Sequence, residues 1–442
     1  MENKHTLSDL YQMQSLSLNA KIRMTQNRIN QWVDEYGEDG VYVSFSGGKD
    51  STVLVDLVRN VCGYKNVPLV FVDVPTQYPE LKEFALTFDN VEILRPKITF
   101  AEVCEKYGFP LISKEVSESV YGARKYLTQI LEQQSLKQAS KQASKQASKL
   151  RYGYYYEKIT GTGKYSKFSE SLSGADTFSL IENSRGGTIE SIAESEELAN
   201  LLNQRYHSKT GGNNQRLAIM LGMLGKDGQI KANIPSEQKS QFSQERYKFF
   251  LEAPFEISNR CCTIMKKEPA HRYHRMTGRN PITGTMASES KLRTQKWLQN
   301  GCNGFHLSIP TSNPMSFWTE QDVLLYIKLN NLPICSVYGE VVKDYGDQLD
   351  GQVSIGELLG TDEMEIFEID RPLLKTTGCD RTGCVLCGFG CHLEKPDESR
   401  FLRLKETHPK FHNLLYILKN NGVTYAEAID WINEHGGFDI KY

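Results

Sequence analysis

The run Ser44-Phe45-Ser46-Gly47-Gly48-Lys49-Asp50-Ser51-Thr52 concentrates the groups that phosphate chemistry needs. Gly47 and Gly48 let a backbone approach phosphate oxygens with no Cβ in the way. Lys49 supplies a point charge, and Ser46, Ser51 and Thr52 supply hydroxyl donors. Asp50 could hold a metal ion or orient the turn. Such fixed donors suit a reaction in which negative charge builds on a breaking phosphoanhydride. The glycines are not spaced as in a Walker A loop.

A second concentration is sulfur. Cys379-x4-Cys384-x2-Cys387-x3-Cys391 contains metal-ligand spacing, and Cys261 and Cys262 are adjacent. Thiolates hold zinc or iron–sulfur clusters alike, and spacing does not choose between them. Ten cysteines in 442 residues are too sparse for a disulfide scaffold, so the clustering reads as metal binding or redox work. Cys62 and Cys104 fall in helical apolar patterns and read as core. The pattern assigns no role to Cys302 or Cys335.

The elements that would position these groups alternate. A helix is expected over residues 15–35, a strand over 41–45, and a helix over 53–61. Strands follow at 68–73 and 91–94, then a helix capped by Thr99 and ending near Gly108-Phe109-Pro110. The phosphate-suited run thus joins the end of one strand to the start of a helix, where free amides and a helix dipole favour anions. Alternating strands and helices predict an α/β fold with a doubly wound parallel sheet. Further on, residues 284–287 read as a strand end leading into a helix over 288–299. Thr319 and Asp322 are spaced as a capping box for a helix reaching Leu329. The chain after Gly378 is a cysteine-rich turn and a mostly helical tail.

Between these halves the pattern changes. Residues 137–149 repeat Lys-Gln-Ala-Ser, too short a period for a solenoid, and read as a solvated helix or linker. Residues 150–240 are rich in Ser, Gly, Asn and Gln, with tyrosines at 152, 154, 155 and 156 beside basic residues, as single-strand nucleic-acid platforms require. Four segments are expected: 1–115, an insert at 116–248, 249–340, and a Cys-rich region at 341–442. The net charge of −2 gives no global field for nucleic acid or membrane. Neither a signal peptide nor a membrane span is expected, and the reading is cytoplasmic.

Ser46 to Ser51 resembles the signature of the PP-loop (adenine nucleotide alpha-hydrolase-like) superfamily, and other matches point to its phosphoadenosine phosphosulfate (PAPS) reductase branch. Phe71-Val72-Asp73 with Tyr78-Pro79-Glu80 is similar to the strand and turn that line the adenosine pocket there. Cys261-Cys262 with Lys266, Lys267 and Pro269 resembles a second element of the branch. Gly284, Ala287, Glu289, Ser290 and Arg293 resemble a third, and Pro314, Trp318, Asp322 and Tyr326 a fourth. The likeness covers roughly residues 25–108 and 249–340.

The resemblance implies binding of an adenine nucleotide, ATP or PAPS, at Ser44 to Thr52 with Asp73 and Glu289. It implies phosphate-facing roles for Lys49, Asp50, Lys266 and Arg293, with Mg2+ sharing the charge. It favours a 4Fe–4S cluster on Cys261, Cys262, Cys384 and Cys387, because related adenylyl sulfate reductases and DNA phosphorothioation proteins hold one through Cys pairs. Cys379 and Cys391 are rival ligands, and Zn2+ is the alternative metal. Two departures shape the expected activity. No cysteine follows Cys391, where reductases carry a nucleophile, and the intact loop suits a substrate that keeps its pyrophosphate. The expectation is therefore ATP-dependent sulfur transfer releasing AMP and pyrophosphate, with a nucleic-acid acceptor and a sulfur donor protein as partners. The rivals are sulfonucleotide reduction through Cys391 and a nucleotide-gated nucleic-acid-binding module without catalysis.

Overall fold

The computed structural model describes residues 4–127, 196–206, 212–344 and 373–442. The Lys-Gln-Ala-Ser repeat and the tyrosines at 152–156 lie outside the described residues. The chain forms two units, each assembled from two stretches: Met1–Lys97 with Met265–Cys384, and Ile98–Ile264 with Val385–Tyr442.

The first unit carries a six-stranded sheet. Its strands are β1 (Val41–Phe45), β2 (Leu69–Val72), β3 (Val91–Leu94), β4 (Asn280–Ile282), β5 (Asn303–Gly304) and β6 (Thr311–Ser312). Their spatial order is β3-β2-β1-β4-β6-β5, parallel throughout except for the β5–β6 pair. Val43 pairs with Leu69 on one side and with Ile282 on the other, so β1 is central. Winding reverses beside it, since β2 lies on one flank and β4, far along the chain, on the other.

Both faces of this sheet are covered, which explains why β1 is almost continuously apolar. Val41, Val43 and Phe45 point into the larger core, with Ile29 and Trp32 of α2 (Leu18–Tyr36), Val53 and Leu54 of α3 (Lys49–Asp56) and Ala85 of α4 (Pro79–Ala85). Trp318 and Ile327 join them, the latter from α7 (Glu320–Asn330). The alternate residues Tyr42 and Val70 face the other way and meet Tyr273 of α5 (Glu268–Thr277). The Tyr42 and Tyr273 rings stand edge-on at 5.1 Å. The α/β, doubly covered parallel architecture predicted from the alternation is present.

Several boundaries differ from the sequence reading. A capped helix, α1 (Leu7–Gln14), precedes α2, and Ser17 caps the second helix. Helix α3 begins at Lys49 rather than Val53, because Gly48 ends the turn in extended backbone. It runs into a π-helical turn at Leu57–Val61. Strand β4 ends at Ile282, before Gly284, and the following helix α6 (Lys291–Asn300) starts only after Ser290 caps it from an extended conformation. The Thr319–Asp322 capping box forms as expected. The same Asp322 also accepts from buried Lys21 of α2 at 2.6 Å, which ties two helices of one face together.

The second unit starts with the helix Phe100–Tyr107, capped by Thr99 and Glu102. Strand Leu111–Ile112 pairs in parallel with Gly388–Phe389. The Arg124 guanidinium, itself buried, donates to the carbonyls of Phe250, Ala253 and Phe255 and so holds an irregular stretch in place. The helix Tyr425–Gly436 closes the unit. Cys104 and Cys391 are buried here, while Cys62, Cys302 and Cys335 pack in the first unit. Among the described residues no helix is long and apolar enough to cross a membrane.

Candidate functional site

The run from Ser46 to Thr52 lies where β1 ends and α3 begins, at the point where the sheet's winding reverses. In open α/β sheets that crevice is where ligands bind. Gly47 has φ +71°, and a Cβ there would stand 2.7 Å from the Leu81 carbonyl oxygen, so the turn needs glycine. The hydroxyls turn inward and brace it. Ser51 Oγ donates to Gly48 O at 2.9 Å and lies 3.0 Å from Ser46 Oγ, while Thr52 Oγ1 donates to Gly48 O at 3.0 Å. Helix α3 has no capping side chain, and among the described residues the amides of Asp50 and Ser51 have no hydrogen-bond acceptor. Those two N–H groups are the donors the turn leaves open. Ser44 is a half-buried residue within β1, paired with Val70. The turn after β4 lies alongside, since a Cβ on Gly284 would sit 3.1 Å from Asp50 O.

Charge gathers behind the turn. Lys49 is 3% exposed, and its Nζ donates to the Asp380 carbonyl at 2.7 Å and pairs with Glu320 at 3.0 Å and Asp50 at 4.0 Å. Its amide donates to Tyr338 Oη at 3.2 Å, and Tyr338 Oη is 2.7 Å from Thr382 Oγ1. Burial raises the Asp50 carboxyl above its usual range. Lys49, Arg381 and Arg293 pull it down, and Glu320 pushes it up. Asp50 Oδ1 is buried and makes no hydrogen bond among the described residues. Arg293 is held below its usual value, first by burial and then by the charge of Arg381. Its guanidinium pairs with Glu289.

The structure thus brings Lys49, Asp50 and Arg293 together and places Glu289 behind Arg293, where it also accepts from Met286 N at 2.9 Å. Asp73, at the end of β2, is engaged by Lys82 at 2.8 Å and Arg95 at 3.4 Å. Lys266 is half-buried in the π-helical turn Thr263–Lys267 that leads into α5. Sequence reasoning missed Glu320, Tyr338 and Arg381. Glu320 was visible as the first residue of a capped helix. The other two stand outside any spacing pattern, and only the fold returns them to the turn. In the same unit a cavity of about 590 Å3 opens between β3 and α5, with Leu94, Arg95, Arg272 and Met276 in its wall.

Of the four expected cluster cysteines, Cys384 belongs to the first unit and Cys261, Cys262 and Cys387 to the second. In the second unit, Tyr425 is wholly buried. Burial raises its hydroxyl far above the usual value, and Cys391, Cys387, Cys104 and Cys261 add to the shift. That hydroxyl donates to Leu386 O at 2.9 Å. Burial pushes the Cys391 thiol up to about 12 against the opposing charge of Arg400. Among the described residues no three His, Cys, Asp or Glu side chains stand close enough together to hold a metal ion. No assembled metal site is thus present among the described thiols. Asp50 does fit a shared role toward Mg2+, which takes one or two carboxylates and completes its shell with water and phosphate oxygens.

Comparison with curated protein sequences gives no match. Among solved structures, the phosphate complex of phosphoadenylyl-sulfate reductase from Candida auris aligns over 76% of this chain and 92% of that chain, with 11% identity and a TM-score of 0.28. That likeness is too low to carry residue positions across. The phosphoadenosine phosphosulfate reductase domain matches residues 40–148 and 209–388, taking in the turn, both sheet halves and most of the cysteine-rich turn, and the chain belongs to that family.

Proposed function

We propose that the chain binds ATP with its phosphates on the Ser46–Ser51 turn and uses it to activate an acceptor for sulfur transfer. The observation that carries the reading is the turn itself: two open amides at a helix start, at the sheet's switch point, with Lys49, Arg293 and Arg381 around Asp50. An acceptor oxygen attacks the α-phosphorus, the bond to the bridging oxygen of the β-phosphate breaks, and pyrophosphate leaves with its electron pair. A thiolate or hydrosulfide sulfur then displaces AMP, which departs with the acceptor's oxygen. The amides and the three cations meet the charge that grows on pyrophosphate. Mg2+ bound with the nucleotide would neutralise phosphate charge, and Asp50 would be the residue to hold it, since its buried Oδ1 makes no hydrogen bond among the described residues.

Sulfonucleotide reduction through Cys391 is less well supported. A thiol 3% exposed and pushed up to about 12 is protonated at neutral pH, whereas the nucleophile must be a thiolate. A polyanionic acceptor is supported by the outer face of α5. Lys267 and Arg275 are exposed there, and Glu268 is shared by Arg272 at 2.9 Å and Arg275 at 3.9 Å. Cations therefore outnumber carboxylates on that face, as nucleic-acid binding requires.

The test is direct. Anaerobically purified protein is incubated with ATP labelled at the α-phosphate, Mg2+ and single-stranded DNA or RNA, and AMP and pyrophosphate are quantified. Stoichiometric appearance of both, lost in Arg293→Met, is the expected result. ATP that neither turns over nor shifts the melting temperature, alongside a shift with PAPS, would hand the site to sulfonucleotide chemistry.

A further inference from the structure

Residues 378–383 form a strap across the phosphate turn, pinned by atoms that a phosphate would also seek. Its start is fixed by Gly378 N donating to Tyr338 O at 2.9 Å and Cys379 N donating to Val337 O at 2.8 Å. Its middle lies on the turn, with the Asp380 carbonyl accepting from Lys49 Nζ at 2.7 Å. Thr382 Oγ1 meets Tyr338 Oη at 2.7 Å, and the same Tyr338 oxygen accepts from Lys49 N at 3.2 Å. Just past its end, Cys384 makes an isolated antiparallel bridge with Gln77. A cysteine therefore stands at each end. Cys379 Sγ donates to Tyr78 Oη at 3.7 Å, and both cysteines are half-buried.

The two Lys49 groups best placed for a phosphate are thus already engaged, its ammonium by Asp380 and Glu320 and its amide by Tyr338. A phosphate oxygen carries negative charge that a carbonyl or phenol oxygen lacks, so it attracts the Lys49 ammonium and amide more strongly than either. A nucleotide seated on the turn therefore takes Lys49 from the strap, and it does so at the strap's central anchor.

We propose that nucleotide binding releases this strap, so that Cys379 and Cys384 become reactive only when the phosphate turn is filled. The proposal rests on the reading that phosphates bind at Ser46–Ser51. It gives the molecule a thiol pair whose exposure reports on ATP, and it keeps sulfur chemistry from running ahead of acceptor activation.

The experiment is pulsed alkylation of the full chain with iodoacetamide, quantified by mass spectrometry at Cys379 and Cys384, with buried Cys104 as the internal reference. Melting temperature is measured on the same samples. ATP with Mg2+ is expected to raise labelling of both strap cysteines by about fivefold, the population change that loss of one ordinary hydrogen bond brings, and to leave Cys104 unchanged. Tyr338→Phe, which lacks the oxygen joining Lys49 N to Thr382, is expected to show raised labelling with no nucleotide present. A melting shift with ATP and unchanged or slower labelling would overturn the strap while leaving the nucleotide reading intact. No melting shift and no change in labelling would overturn both. Wild-type labelling in Tyr338→Phe would remove the latch on its own.

Discussion

Gly47→Ala is the sharpest perturbation of the site, and its size can be worked from the backbone. Position 47 has φ +71°, a region that costs an L-residue about 1–2 kcal/mol. The added Cβ would also meet Leu81 O at 2.7 Å. That atom is backbone, so no rotamer change relieves the contact, and overpacking of this kind costs about 1–3 kcal/mol. Together these give about 3 kcal/mol, which for a unit of this size lowers the melting temperature by about 6–12 °C. Gly48→Ala is the matched control. Its φ is −78°, and the atoms nearest a new Cβ are the Ser46 Oγ and Tyr338 Oη side-chain oxygens at 3.1 Å. It should lose no more than about 1 kcal/mol. Thermal unfolding followed by circular dichroism compares the two. If Gly47→Ala melts with the wild type, or if Gly48→Ala is the more damaged, the account of the turn is wrong.

The other expectations concern single residues. Asp50 has a raised folded-state pKa, so the folded protein binds the proton more tightly than the unfolded chain, and stability falls as pH rises from the ordinary carboxyl value of 3.8 through the raised one. Asp50→Asn should remove that slope, melt higher at neutral pH and lose the response to Mg2+ and ATP; an unchanged pH profile would refute the assignment. Lys21→Met strips the cation from a pair 2% and 13% exposed, leaving Asp322 charged against α2, and should cost about 3 kcal/mol in urea unfolding. Lys21→Met with Asp322→Asn should recover part of that loss, and no recovery would mean the pair is not coupled. Tyr425→Phe leaves the Leu386 carbonyl without its 2.9 Å donor in a wholly buried site and should cost about 1–3 kcal/mol.

The frame of the first unit was legible because it depends on local rules. β1, β2 and β3 announce themselves by short apolar runs, and the Thr319–Asp322 box by its spacing. The turn was legible for the same reason, since Gly47 and Gly48 mark it within a few residues. What the sequence hides is the set of polar and charged side chains packed around Lys49 and Asp50. Glu320, Tyr338 and Arg381 come from separate stretches far along the chain, and no periodicity links them to Lys49. The inward turn of Ser46, Ser51 and Thr52 was equally hidden, because a hydroxyl's direction is set by packing and not by spacing. The cysteines were legible as a concentration of sulfur, and the family resemblance, not their spacing, singled out Cys261, Cys262, Cys384 and Cys387.

The interleaving of the two units also sets a timetable for synthesis. β1 is central only once β4 has paired with it, and Phe45 precedes Ile282 by more than two hundred residues. At about 5–20 residues per second, the first half of the sheet waits roughly 10–50 s on the ribosome with one flank of β1 open. During that interval Val41, Val43 and Phe45 have no completed core to enter. A chain stopped between Leu94 and Asn280 is thus a released half-sheet with a bare apolar strand, a substrate for chaperones and proteases rather than a smaller working protein.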